Sequence, residues 1–232
     1  MTKVLIGIQA RSTSSRLPKK HHEFIGSKRL LSHVISACQS SRNYVNSRKD
    51  DPIANVCILT PHDDPIGEDF ADEAQIYYGS EADVLGRYAG CATEMQATHI
   101  VRITGDCPLI PPFFISKIIL LGLSAGYDYL SNVDERCRSS IDGTDAEFFS
   151  IRMLEWLDKH SEDREHVTTL ARSDPPKWAK LGFIGQFFDL SDVKLSVDTA
   201  EDLEHVRKSY AGTIEKFRRA RQYYNSHCIH RV

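Results

Sequence analysis

The sequence predicts an α/β protein with a largely parallel sheet between helices, and three features carry that reading. Apolar runs at residues 4–8, 56–60 and 99–104 read as strands buried on both faces. Segments with apolar residues at helical spacing lie between them, as in successive βαβ units. The first and third strands also run straight into polar loops, and open parallel sheets collect ligands at the carboxyl ends of their strands.

Taken in order, the opening strand leads into a loop holding Arg11, Arg16, Lys19 and Lys20. Leu30, Leu31, Val34, Ile35 and Cys38 then recur at helical spacing, and the polar stretch 40–52 reads as an exposed loop. The second strand closes at Pro61 and the acidic turn Asp63-Asp64-Pro65. A helix over 66–74, a short strand over 75–78 and a helix over 84–97 precede the third strand, which ends in Gly105-Asp106-Cys107-Pro108. Residues 113–124 read as a helix and 127–132 as a strand entering a loop with Arg136 and Arg138. A strand at 146–150 and helices at 151–160 and 164–172 follow, the last stopped by Pro175-Pro176. Late strands are predicted at 181–188 and 193–197. Thr199 then caps a long helix striped by Leu203, Val206, Tyr210, Ile214 and Phe217, with Asp202 completing a near capping box.

Composition narrows the partners. The 232 residues, 41% apolar, suffice for a single domain spanning 1–232 with a full core. A net charge of -3 gives no general reason to expect nucleic acid, so the basic loop points to a small anion. The six cysteines (38, 57, 91, 107, 137 and 228) form no CxxC pair, which predicts reduced thiols in the cytoplasm. No run is long and apolar enough to predict a membrane span.

The chemistry concentrates at the strand ends. Arginine forks grip phosphate oxygens two at a time and lysine adds a compact charge, so the loop after the first strand suggests a triphosphate cradle. Asp106 and Asp198 each follow an apolar strand, and two such carboxylates beside a basic loop suit a magnesium nucleotide. Taken singly, Asp106 is equally a turn former and Asp198 a helix cap. Ser80, before the helix at 84, is read as its N-cap or as a contact for a polar ligand edge. The stretch Asp142-Gly-Thr-Asp-Ala-Glu147, after Arg138, reads as an acceptor pocket or a solvated loop, and Arg164-Glu-His166 as an anion-contacting or base-supplying group. The tail ligands His227, Cys228 and His230 are assigned to a frayed terminus.

Together these blocks resemble the cytidylyltransferase family. They are Ile8-Gln-Ala-Arg11, Ser14, Arg16-Leu-Pro18, Lys20, Gly79-Ser-Glu-x-Asp-Val-Leu-Gly-Arg-Tyr88, Arg102-Ile-Thr-Gly-Asp-Cys-Pro-Leu109, Asp142-Gly-x-Asp-x-Glu147, Arg164-Glu-His-Val-Thr168 and Val197-Asp-Thr-x-Glu-Asp-Leu203. The branch they resemble most is that of spore coat polysaccharide biosynthesis, related to the acylneuraminate and 3-deoxy-manno-octulosonate enzymes. The resemblance implies a three-layer α/β/α sandwich of the nucleotide-diphospho-sugar transferase type, paired as a homodimer, with residues 127–190 forming the acceptor-binding and dimerisation part. It implies Mg2+-dependent transfer of CMP from CTP to an anionic acceptor, with release of pyrophosphate. Carried over, Arg11, Arg16 and Lys20 hold the β- and γ-phosphates with Ser14 in the same loop, and Asp106 and Asp198 bind magnesium. Arg11, Lys20 and Asp106 are then the catalytic set, Ser80 and Thr104 contact the cytidine, and Arg138, Asp145, Glu147 and His166 face the acceptor. The pattern departs where relatives carry glycine and this chain has Thr13 and Lys19, and where Ile141 replaces a proline. A phosphonate acceptor, or a non-catalytic nucleotide-binding protein, is the competing expectation.

Overall fold

Alternate residues of the first strand are buried on opposite faces, which commits it to the middle of a layered structure. Val4, Ile6 and Ile8 join one core, and Leu5 joins the other. The computed structural model describes residues 1–48, 52–134, 138–185 and 188–228, with side chains of the last segment through residue 216. In chain order these form β1 (Lys3–Gln9), a 3-10 turn (Lys20–His22), β2 (Phe24–Ile25), β3 (Lys28–Arg29), α1 (Leu30–Asn46), β4 (Ile53–Pro61) and α2 (Ile66–Asp69). They continue with β5 (Gln75–Gly79), α3 (Val84–Glu94), β6 (His99–Thr104), α4 (Pro112–Ala125), β7 (Tyr129–Ser131) and β8 (Ala146–Ser150). The last elements are α5 (Ile151–His160), α6 (Thr169–Ser173), β9 (Leu181–Phe183) and α7 (Ala200–Cys228).

Seven strands make one sheet in the order β5-β4-β1-β6-β8-β7-β9, and β2 pairs with β3 in a separate hairpin. Within the seven, β8 runs against both its neighbours while the remaining pairings are parallel. Helices α1, α2 and α4 cover one face through Val34, Ile66 and Ile115, and α3, α5 and α6 cover the other through Tyr88, Leu154 and Ala171. The predicted three-layer α/β/α sandwich is therefore the observed one.

Register places the functional loops together. Gln9 at the end of β1 lies opposite Leu59 of β4 and Thr104 of β6, so their following loops leave the sheet side by side. The amide of Gly105 donates to the carbonyl of Gln9 at 2.8 Å and locks two of them. A third core of Ile25, Leu30, Val197, Leu203 and Val206 seats the start of α7 against the small hairpin. The Val197 amide donates to the Asp106 carbonyl at 2.9 Å, which brings residue 198 to the end of β6.

Several predicted boundaries move. The stretch predicted as a loop from residue 40 is helical to Asn46, because Ser41 and Val45 continue the buried stripe of Val34 and Cys38. Asn46 then anchors the end by bonding both the N–H (2.8 Å) and the carbonyl (3.1 Å) of Ala54. The helix predicted over 66–74 stops at Asp69. Glu73 is instead drawn to Arg29 at 2.8 Å and Ser32 at 2.9 Å. The helix predicted over 164–172 begins only at Thr169, because the Asp163 carboxylate takes the N–H groups of Glu165 (3.1 Å) and His166 (2.9 Å) and holds a turn there. Of the late strand predicted at 181–188, the described residues form strand at Leu181–Phe183. Residues 193–197 make one bridge, between Asp142 and Lys194, rather than a strand. The capping box at α7 forms as predicted, Thr199 N–H donating to Asp202 at 2.9 Å and Asp202 N–H to the Thr199 hydroxyl at 3.2 Å. Cys38, Cys57, Cys91 and Cys107 are buried free thiols. Arg136, Cys137 and His230, and the side chains of Phe217, His227 and Cys228, lie outside the described residues.

At Gly7 the sheet needs the absence of a side chain. A Cβ there stands 2.6 Å from the ring of Tyr88 and 3.1 Å from Leu59 Cδ1, and the Tyr88 hydroxyl donates to the Gly7 carbonyl at 3.1 Å. Overpacking of this kind costs about 1–3 kcal/mol. Gly7→Ala is expected to lower stability by that amount in urea unfolding, and an unchanged midpoint contradicts this packing.

Candidate active site

The loop after β1 is held by an aspartate rather than by its own cations. Asp64, 6% exposed, accepts from the Ser12 amide at 2.8 Å and the Ser12 hydroxyl at 3.0 Å, while its other oxygen takes the Ile66 amide at 3.0 Å. Ser14 closes the loop internally, accepting from the Leu17 amide at 3.4 Å. Lys19 adopts left-handed backbone, φ 56°, and Thr13 does not. The first of the two missing glycines therefore carries no conformational demand here. At the second, lysine accepts a backbone that favours glycine, at a cost of about 1 kcal/mol.

The chain turn that strains Lys19 aims the next residue inward. Lys20 is 8% exposed, and its Nζ donates to Asp106 Oδ2 at 3.1 Å, Asp198 Oδ1 at 3.3 Å and the Val197 carbonyl at 2.8 Å. One ammonium thus joins the two carboxylates singled out from sequence. Arg16 approaches Asp198 at 3.0 Å from the solvent side. Lys194 adds contacts to Asp198 at 3.4 Å and Asp202 at 2.8 Å. Burial pushes the Asp106 carboxyl up, but the Lys20 charge and hydrogen bonds from Thr104 and Lys20 outweigh it, leaving its pKa below the usual range. Asp202 is likewise pushed up by burial and brought down to about 2 by Lys194 and the amides of Asp198 and Thr199.

Arg11 stands at the other side of the loop, 3.2 Å from Glu165 and 3.9 Å from Glu81. The Thr13 hydroxyl donates to the same Glu81 oxygen at 2.6 Å, so loop 11–16 is fastened to the loop before α3. Ser80 is exposed in that second loop. The cap of α3 is Asp83 rather than Ser80, accepting from the Gly86 amide at 2.7 Å and holding the fork of Arg164 at 2.8 and 3.1 Å. His166 is largely exposed and rests on Asp163 at 3.1 Å. Its segment meets the site on the Arg11 side, through Glu165.

On the Asp106 side, Thr104 contacts Cys107 Sγ at 3.1 Å, and Arg138 pairs with Asp145 at 3.2 Å and with Asp142 at 3.5 Å. Burial pushes the Asp145 carboxyl up to about 6 against the opposing charge of Arg138. Glu147 points inward instead. It is 1% exposed and is bound by Arg102 at 2.6 Å, by the Tyr129 hydroxyl at 2.6 Å and by the Thr168 hydroxyl at 2.5 Å. This places Glu147 within the sheet, where it ties β6, β8 and the 164–168 turn together. Asp64, Glu81, Asp83 and Lys194 are the site residues that sequence reasoning passed over; Asp64 stood in a turn recognised only as acidic.

Clustered cations and paired carboxylates thus meet at the carboxyl edge of a mostly parallel sheet, where folds of this class take their ligands. The family model described as cytidylyltransferase matches residues 5–225, and the chain belongs to that family, whose members are CTP-dependent nucleotidyltransferases. The spore coat polysaccharide biosynthesis protein SpsF of Bacillus subtilis is 28% identical over 214 residues, 90% of this chain and 87% of its own. A cytidylyltransferase structure from Leptospira borgpetersenii is 27% identical, with a TM-score of 0.79 and 96% of each chain covered. A CMP:2-keto-3-deoxy-manno-octonic acid synthetase complexed with CTP shares the fold at 15% identity, with a TM-score of 0.66 over 91% of this chain and 100% of that one.

Behind Lys20, His21 is 3% exposed, and burial, with the Lys20 charge next, lowers its pKa to about 4. A histidine depressed in the folded state contributes stability that is full above its ordinary value of 6.5 and is lost as pH falls through 4. The difference between wild type and His21→Gln in urea unfolding is expected to shift between pH 7 and pH 4 by about 3 kcal/mol. A difference independent of pH contradicts the buried neutral ring.

Proposed function

We propose that this protein transfers CMP from CTP to an anionic sugar-acid acceptor, releases pyrophosphate, and uses magnesium held by Asp106 and Asp198. The observation that carries the reading is the convergence of both carboxylates on the Lys20 ammonium, beside a loop bearing Arg11, Arg16 and Lys19. Two carboxylates brought to one place suit magnesium, which takes one or two such ligands and fills its remaining positions with phosphate oxygens and water. When bound, the ion supplies charge neutralisation at the α-phosphate and lowers the cost of deprotonating the attacking oxygen.

The chain's own residues do the positioning. Arg11 exchanges its exposed partners Glu81 and Glu165, and Arg16 its half-buried partner Asp198, for the β- and γ-phosphates, and Ser14 keeps the loop in shape. Lys20 stays between the carboxylates, holding the Asp106 carboxyl low and presenting positive charge where the departing pyrophosphate forms. The acceptor oxygen attacks the α-phosphorus in line, and no covalent enzyme intermediate is required. Arg138 receives the acceptor's carboxylate, and Asp145, with its raised pKa, stands beside it as a proton acceptor for the attacking hydroxyl. Ser80 and Thr104 bracket the cytidine, and His166 borders the acceptor from the Arg11 side. Glu147 acts at a distance by fixing Arg102 and the 164–168 turn.

The sugar-acid acceptor follows the activity for which the octonic acid synthetase is named, and the setting in polysaccharide biosynthesis follows that of SpsF. Residues 127–190 form the acceptor and dimerisation part of a single domain, with the short edge strand β9 and the exposed apolar side chains of Phe183, Leu190 and Val193 supporting a homodimer. No described helix is long and apolar enough to cross a membrane. We assign the reaction to the cytoplasm, in keeping with its use of CTP.

Pyrophosphate release from CTP and Mg2+ against sugar acids, phosphosugars and small phosphonates tests the reading, with UTP and ATP as controls. Release with CTP and a sugar acid is expected. Asp106→Asn is expected to remain folded and to lose about a thousandfold or more in rate, the scale of one removed electrostatic contact in a dry site. Release only with a phosphonate, or a near-normal rate in Asp106→Asn, contradicts the assignment.

A further inference from the structure

Arg87 lies in the first turns of α3 and is 1% exposed, yet its Nε, Nη1 and Nη2 have no hydrogen-bond partner among the described residues. A buried guanidinium offers donors alone, so it demands acceptors, and leaving all of them unmet is costly. The position is built for this side chain. A Cβ at Gly79 stands 2.6 Å from Arg87 Cγ, and Gly79 does not adopt positive φ, so the glycine there makes room for the arginine stem rather than for a turn.

The charges around the guanidinium are Asp83 at the start of its own helix and, from the loops of the candidate nucleotide site, Arg11, Asp64 and Glu81. Glu81 is the residue that fastens those loops, through Thr13 at 2.6 Å and Arg11 at 3.9 Å, and both contacts are exposed, hence weak. Placement in the sheet sets what Arg87 meets. Asp106 follows β6, the phosphate loop follows β1, and Arg87 lies beyond β4 at the end of β5. Arg87 is therefore within the span of a nucleotide whose triphosphate sits over β1 and β6 and whose base lies on the β5 side. Cytosine presents adjacent acceptors, O2 and N3, to which two guanidinium N–H groups can donate, whereas uracil carries a hydrogen on N3 that meets another donor.

Resting on the nucleotide site proposed above, we propose that Arg87 reads the pyrimidine, donating to O2 and N3 of cytosine once the Glu81 contacts part. Such a residue sets specificity for CTP over UTP, because a buried fork left unpaired by the wrong base rejects it strongly.

Calorimetric titration of wild type and Arg87→Lys with CTP, UTP and inorganic pyrophosphate, each with Mg2+, tests this. Wild type is expected to prefer CTP over UTP by about a hundredfold, and Arg87→Lys to lose about tenfold or more in CTP affinity, with the preference reduced to about threefold and pyrophosphate binding unchanged. Equal losses for CTP and pyrophosphate, or an intact preference, overturn the proposal. Should the variant not fold, the Arg87 Nε–Hε resonance of the isotope-labelled wild-type protein decides the same question: it is expected to shift with CTP and stay in place with pyrophosphate, and no shift with CTP overturns the proposal. If wild type binds none of the three probes, the nucleotide site itself is wrong and this inference falls with it.

Discussion

Lys20 is the pivot of the molecule. Its ammonium is the shared partner of a carboxylate at the end of β6, another at the start of α7 and a carbonyl between them. A buried ammonium is costly unless paired, and this one has three oxygen partners; in return its charge helps hold the Asp106 carboxyl below its usual range. Each side makes the other tolerable in the interior. The backbone strain at Lys19 follows from this constraint, since the chain has to turn sharply to aim residue 20 down rather than outward.

Around that pivot, the two sides of the site are held differently. The Asp106 side is rigid: β1, β4 and β6 are in register, Gly105 is tied to Gln9, and Val197 is tied to Asp106. The Arg11 side is fastened only by exposed pairs with Glu81 and Glu165, which screen readily and exchange at low cost. In the reaction proposed above, a nucleotide would arrive between a carboxylate edge tied into the sheet and a loop whose arginines can re-pair with phosphate. Glu147 and Asp64, both buried, support this division from below. One is bound to Arg102, Tyr129 and Thr168, and the other to Ser12 and Ile66.

Much of this was legible in the sequence because it follows from periodicity and chain order. The strands at β1, β4 and β6 announce themselves as apolar runs, and the pairing of Thr199 with Asp202 is local. Arg11, Lys20, Asp106 and Asp198 could be chosen because each sits next to such a strand or helix. What escaped was decided by contacts distant in sequence. Asp64 anchors a loop 52 residues earlier, which no spacing rule connects. Glu147 looked like a pocket residue within an acidic run, and only the pairing of β8 with β6, setting it opposite Arg102, turns it inward. The helical end of α1 was hidden by polar composition, although Ser41 is small enough to be buried in the stripe between Cys38 and Val45. The late apolar stretch 193–197 resembled a strand, but its amides are taken by Leu190, Asp142 and Asp106 in turn.

The claim that Lys20 couples the two carboxylates is tested most directly by a double-mutant cycle of Lys20→Met and Asp198→Asn, read by urea unfolding in metal-free buffer. Removing the cation leaves two carboxylates facing each other, so Asp198→Asn is expected to be less harmful, or stabilising, in the Lys20→Met background, with a coupling of about 1–3 kcal/mol. Changes that add to within about 0.5 kcal/mol contradict the account, because they mean that the ammonium and the carboxylate do not depend on one another.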